Sequence, residues 1–319
     1  MSAYSVIGIR TAMSSTSYET SADTSTSVGP ESVEAPAPAR ATTYSLPLKP
    51  VITIRPSKPW APLKLRSLWA YRELLYFLIW RDIKVRYKQT LLGATWAVIQ
   101  PLTMMLIFAY FFGLLARLPT EGVPSGLFYY AGMSLWTFFS GAALSGANSL
   151  IGNTNLITKV YFPRLIIPSA AVLAGVVDLV ITSVLIFPLL AYYGFSVSWR
   201  LLLLVPISGL ITMLALAMGI LFSALNTKYR DVRYALPFLL QVWMFISPVI
   251  YPASMVPREW RWLFSLNPLA GIIGGYRASL FGQPIHWGAL AYSILFTIMA
   301  LSVAAYTFRR MEKSFAEVL

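Results

Sequence analysis

Residues 200–228 read RLLLLVPISGLITMLALAMGILFSALNTK. Between Arg200 and Lys228 there is no Asp, Glu, Lys or Arg, over a stretch longer than the roughly 20 apolar residues that cross a bilayer as a helix. The intervals from Lys88 to Arg117, Glu121 to Lys159, Arg233 to Arg258 and Arg277 to Arg309 are equally free of charge. In lipid, backbone N–H and C=O groups find partners only inside a helix or a closed barrel, and the alternating pattern of a barrel is absent. Only 12% of the chain is charged and 57% is hydrophobic, against roughly 25% charged residues in soluble domains. Water is therefore not its main solvent. These runs predict an all-α integral membrane protein with six transmembrane helices, over 93–116, 127–150, 165–193, 200–225, 234–251 and 287–308.

Charge sets the orientation. With the N-terminus cytoplasmic, 20 of the 25 Lys and Arg residues fall on the inner side of the six spans, as the positive-inside rule requires. Both termini are expected on the cytoplasmic side. The formal net charge of +13 is read as topology and not as affinity for nucleic acid, because the basic residues flank apolar segments. Trp96, Trp199 and Trp287 lie near predicted span ends, where interfacial aromatics belong.

The segments outside the spans differ from one another. Residues 1–60 form a Ser/Thr/Pro-rich extension expected to be disordered; its first 50 positions hold 10 Ser, 7 Thr and 5 Pro with no apolar periodicity. Residues 64–90 place Leu74 to Trp80 among Lys64, Arg66, Arg72, Arg81, Lys84, Arg86 and Lys88. That pattern predicts a helix lying on the cytoplasmic leaflet, ambiguous at its end, where Ile83, Val85 and Tyr87 alternate with charges in a strand-like way. The last outer loop carries two apolar pieces, 258–266 and 269–281, split by Asn267-Pro268. Each is too short to span, so both read as re-entrant or interfacial helices.

Several chemistries are excluded. The chain has no cysteine, hence no disulfide or thiolate site. It has no G-x-x-x-x-G-K-[ST] loop, so it lacks the usual cradle for ATP. Its single histidine, His286, cannot supply the three or four ligands of a zinc site, and no metal site is expected. Clustered outer carboxylates for a membrane-embedded glycan-transfer enzyme are missing, and no catalytic residue is assigned. Asp178 is the one acid well inside a span. It reads either as a hydrogen-bonding group tying two helices or as a substrate or proton site, and a lone acid is thin support for an ion-coupled transporter.

Aromatic residues are plentiful instead. Phe108 and Phe112 in the first span, Tyr129, Trp136 and Phe139 in the second, and Trp243 in the fifth have spacings that permit stripes on helix faces. They are the candidates for lining a channel in which weak, repeated contacts guide a polymer; packing is the alternative for each.

From about Leu65 onward the chain resembles the permease subunits of type 2 ABC exporters for polysaccharides and polyol-phosphate polymers, such as O-antigen, capsule or teichoic acid. The resemblance rests on Arg81-Asp82 with Arg86-Tyr87, Leu92-Gly93 with Trp96 and Pro101-Leu102, and Tyr161-Phe162-Pro163-Arg164 with Pro168. Farther on it rests on Ser247-Pro248 with Tyr251, Asn267-Pro268-Leu269 and Tyr276-Arg277. It implies a permease over 61–319 that pairs with a second copy of itself and with two nucleotide-binding ATPase subunits, which hold the ATP and magnesium. Lys159, Tyr161, Phe162, Pro163 and Arg164 would form the knob that couples to the ATPase. Trp260, Trp262, Asn267, Pro268, Tyr276 and Arg277 would form an outer gate. The cargo implied is a lipid-linked polysaccharide; a drug or small lipid is the rival cargo.

Overall fold

The computed structural model describes residues 69–88, 95–195, 198–312 and Phe315, all within one compact unit, Ser57–Leu319. The N-terminal extension 1–60, the Leu92-Gly93 start of the first predicted span and the basic residue Lys313 lie outside the described residues.

Every regular element among the described residues is helical. Helix α1 is Arg72–Lys88 and α2 is Trp96–Phe108, continued by a π-helical segment Ala109–Leu115. Then come α3 Ser125–Gly152, α4 Thr154–Lys159, α5 Ile166–Ala174 and α6 Val176–Tyr192. A 3-10 turn, Trp199–Leu203, leads into α7 Leu204–Lys228, followed by α8 Val232–Ile246. The bundle closes with α9 Arg261–Ser265, α10 Pro268–Phe281 and α11 Trp287–Glu312.

Four segments are long and apolar enough to cross a membrane: Trp96–Leu115, Ile166–Tyr192, Trp199–Lys228 and Trp287–Glu312. The second predicted span is α3, whose 28 residues give about 42 Å at 1.5 Å per residue. Ser, Gly, Thr and Asn dilute its apolar character because it is the central helix, buried along most of its length. Small residues there allow backbones to approach. A Cβ on Gly146 would come within 2.8 Å of both the Gly219 Cα on α7 and the Val172 Cγ2 on α5. The Asn226 amide, donating to the Ala147 carbonyl at 3.0 Å, pins the same crossing.

The fifth predicted span, 234–251, is shorter than expected. Helix α8 stops at Ile246 because Ser247 is extended (φ −96°, ψ 152°), the conformation favoured before a proline, here Pro248. Its 15 residues reach about 22 Å. The third predicted span is one helix with a tight turn at Gly175, where Gly175 N donates to Val172 O and Asp178 N to Gly175 O, both at 3.0 Å. That turn sets the direction of Asp178.

The two short helices expected in the last outer loop are present as a 3-10 turn, Arg258–Trp260, running into α9, and as α10. Asn267 caps α10 by accepting from Leu269 N at 3.1 Å, with Pro268 at its first position, a favourable start. Gly282, at φ 72°, closes it in the left-handed conformation that glycine tolerates. The strand-like end of residues 64–90 is helical: α1 runs unbroken to Lys88. Two apolar cores result. The larger joins α3, α6, α7, α8 and α10. The smaller collects Leu78, Leu150, Phe162, Ile166, Ile220, Phe308 and Phe315 where α1, the loop after α4 and the end of α11 meet.

Candidate functional site

Helix α1 is tied to the bundle at two places. Near its middle, Arg81 Nη2 donates to Asn153 Oδ1 at 2.9 Å and to Asp82 at 2.8 Å. Asn153 is the residue between α3 and α4. At its end, Arg86 and Tyr87 both donate to the carboxylate of Asp178 on α6, one to each oxygen. Burial, reinforced by the hydrogen bond to Asp178 and its charge, holds the Tyr87 phenol well above the ordinary tyrosine range, so it stays a donor. No local pattern assigns Asp178 a partner. The convergence of Arg86-Tyr87 on the chain's one mid-span acid joins positions 92 and 91 residues apart. The signal available was that a buried acid needs a cationic or hydroxyl partner.

This cluster lines a cavity of about 530 Å³ bounded by α1, α2, α3 and α6. Trp96 and Phe138 contribute aromatic faces, and Gln100, Thr137 and Ser145 contribute polar side chains.

The predicted coupling knob divides sharply. Tyr161 is 97% exposed while Phe162, the next residue, is 5% exposed and sits in the smaller core. Lys159 is exposed at the end of α4, and Pro163 is half-buried. Arg164 Nη1 donates to the Glu312 carbonyl at the end of α11, 3.1 Å away. Only Tyr161 and Lys159 of the five stand free of the bundle; Phe162 and Arg164 anchor the loop.

The aromatic candidates pack against one another. Phe108, Phe112 and Tyr129 form one cluster, with ring centroids 5.3 to 6.4 Å apart. Trp136 meets Phe139, and Phe139 meets the edge of Trp243 at 5.3 Å. Tyr129, Trp136 and Phe139, on the central helix α3, are buried within the chain, while Phe108, Phe112 and Trp243 are half-buried. The large rings left uncovered on these spans are Trp96 of α2, Tyr110 and Phe111 of its π-helical continuation, and Tyr234, Phe238 and Phe245 of α8.

At the opposite end, Trp260 and Trp262 are exposed, whereas Asn267, Tyr276 and Arg277 are buried. Asn267 joins three elements: its carbonyl accepts from Trp243 Nε1 at 3.1 Å and its amide donates to Ser247 Oγ at 2.8 Å. Arg277 donates to the carbonyls of Pro248, Val249 and Phe128 at 2.7, 2.8 and 3.0 Å, and its guanidinium lies 3.5 Å from the centroid of the Phe128 ring. The carbonyls freed where α8 ends are thus captured by a helix that does not cross the bundle.

A chain with several helices long and apolar enough to cross a membrane, a basic N-terminal helix tied to Asp178 and a projecting loop has the build of a polytopic transporter subunit. Comparison with known proteins gives the family: the ABC-2 type transporter membrane family matches residues 73–281, and the chain belongs to it. The chain is 29% identical over 257 residues to the O-antigen export system permease protein RfbA of Myxococcus xanthus, covering 79% of this chain and 97% of that protein. It is 27% identical over 252 residues to a protein of the same name from Klebsiella pneumoniae, covering 77% and 95%. Against the polysialic acid transport protein KpsM of Escherichia coli it is 24% identical over 242 residues, covering 74% and 93%.

Proposed function

We propose that two copies of this chain, joined by two ATPase subunits that bind ATP and magnesium, export a lipid-linked polysaccharide of the O-antigen type across the bacterial cytoplasmic membrane. The observation that carries this reading is the near-complete coverage of two kinds of polysaccharide-export permease by one family of helices. The six spans are α2 with its π-helical extension, α3, α5 with α6, α7, α8 and α11, with both termini cytoplasmic. Tyr161 and Lys159, projecting from the loop after α4, are the contact surface for the ATPase. The short helices α9 and α10 form the outer gate. The exposed aromatic residues of the first span, Trp96–Leu115, and of α8 are where a second copy or the glycan would lie.

Deletion of the reading frame tests this directly. Surface glycan should disappear while lipid-linked glycan accumulates at the inner leaflet, and re-expression of the full chain should restore export. Unchanged surface glycan in the deletion strain would end the proposal. Topology has its own assay, since the chain lacks cysteine: K159C should resist an impermeant thiol reagent in intact cells, and R261C should react.

A further inference from the structure

The cavity between α1, α2, α3 and α6 has chemically specific walls. We infer that it is a binding site for a neutral polyhydroxylated group, one or two sugar residues in size; the inference rests on the polysaccharide reading for its biological source. Volume is the first argument: about 530 Å³ lies within the range of small-molecule pockets. Charge is the second. Arg86 is the cation and Asp178 the anion of the lining, and they neutralise one another. A phosphate or other anionic headgroup needs a cation not already spent, and here binding it would mean breaking that pair.

Polarity is the third argument. The side chains of Gln100, Thr137 and Ser145 line the cavity and make no hydrogen bond among the described residues. Thr182, by contrast, is satisfied by the Asp178 carbonyl at 3.0 Å. Polar groups left open to an acyl chain are costly, so a lipid tail is a poor occupant. A sugar ring offers both donors and acceptors to an amide and two hydroxyls. Its C–H faces, slightly positive, suit the negative faces of Trp96 and Phe138. The half-exposed Arg86–Asp178 pair would orient hydroxyl groups as both donor and acceptor.

The test uses the full-length chain in lipid nanodiscs, carrying S145C as its single thiol, with the rate of N-ethylmaleimide reaction as readout. Maltotriose is the neutral probe, glycerol 3-phosphate the anionic one, and Y161C the control outside the cavity. Maltotriose should slow S145C about threefold when present at about twice its Kd, since protection follows 1 + [L]/Kd, and leave Y161C unchanged. Glycerol 3-phosphate should protect only after D178N frees the Arg86 charge. T137C repeats the measurement should S145C not fold. Failure of maltotriose to protect either cavity thiol, equal protection of Y161C, or protection by glycerol 3-phosphate with Asp178 intact would overturn the site. Because the readout is binding, loss of the export reading by gene deletion leaves this result standing, and loss of protection leaves export standing.

Discussion

Two charged side chains sit within the helical bundle, and they are held in opposite ways. Arg277 is 5% exposed and gives its donors to three backbone carbonyls from α3 and from the chain after α8. No carboxylate forms a salt bridge with it among the described residues. Asp178 is half-exposed at a cavity and is held by two side chains from one neighbouring helix. Backbone carbonyls cannot change rotamer, so Arg277 has a fixed socket. The partners of Asp178 are side chains that can rotate away together when α1 moves. One charge is held by backbone and the other by side chains.

The sharpest way to break this comparison is R277M. It removes the donors to the carbonyls of Pro248 and Val249, each of which then costs about 1–3 kcal/mol as a buried orphan, together with the second bond to the Phe128 carbonyl, which keeps its partner within α3. The sum is a large part of the stability of a typical domain. Folded yield, measured by fluorescence-detected gel filtration after detergent extraction, should collapse, and R277K should recover part of it. Wild-type yield for R277M would show that the socket closes nothing.

D178N should behave differently. Asn keeps an acceptor for Arg86 or Tyr87, and a partly exposed pair contributes only about 0–1 kcal/mol. Yield should stay near wild type, while the thiol of S145C in the D178N background should react faster with maleimide as α1 loosens. If D178N collapses yield as R277M does, both charges are structural and the distinction fails.

The contrast also shows what sequence could and could not supply. The spanning helices were legible because a charge-free apolar run has few other destinations, and the Asn267-Pro268 start of α10 was legible because capping is local. The spacing of the aromatic residues does not say which face each takes, since an apolar stripe serves lipid, packing and channel alike: Phe108, Phe112 and Trp243 are half-buried. The central burial of α3 turns Tyr129 and Phe139 inward, and that depends on which helix the others surround. The Asp178 partners and the Arg277 socket join distant positions and leave no local pattern. In the loop after α4, the division between exposed Tyr161 and buried Phe162 likewise leaves no mark in the sequence.

That division gives the smallest expected change in stability with a large change in function. The chain is extended at Val160 (φ −131°, ψ 132°), and neighbours in extended chain point to opposite sides. Phe162 therefore enters the core with Leu78, Leu150 and Phe308 while Tyr161 points out. Replacing Tyr161 and Phe162 together would confuse two effects, because a buried Phe changed to Ala costs about 3–5 kcal/mol. Y161A alone should shift stability by less than about 0.5 kcal/mol, as for other surface changes. Its thermal unfolding in detergent should overlay that of the wild type, while F162A should unfold many degrees lower. With the ATPase subunits present, Y161A should leave basal ATP hydrolysis and lower surface glycan, because the ring is the exposed part of the loop available to fill a cleft on the partner. Should Y161A export at the wild-type rate, the ATPase must grip the bundle elsewhere, and Lys159 together with the exposed face of α4 becomes the next surface to alter.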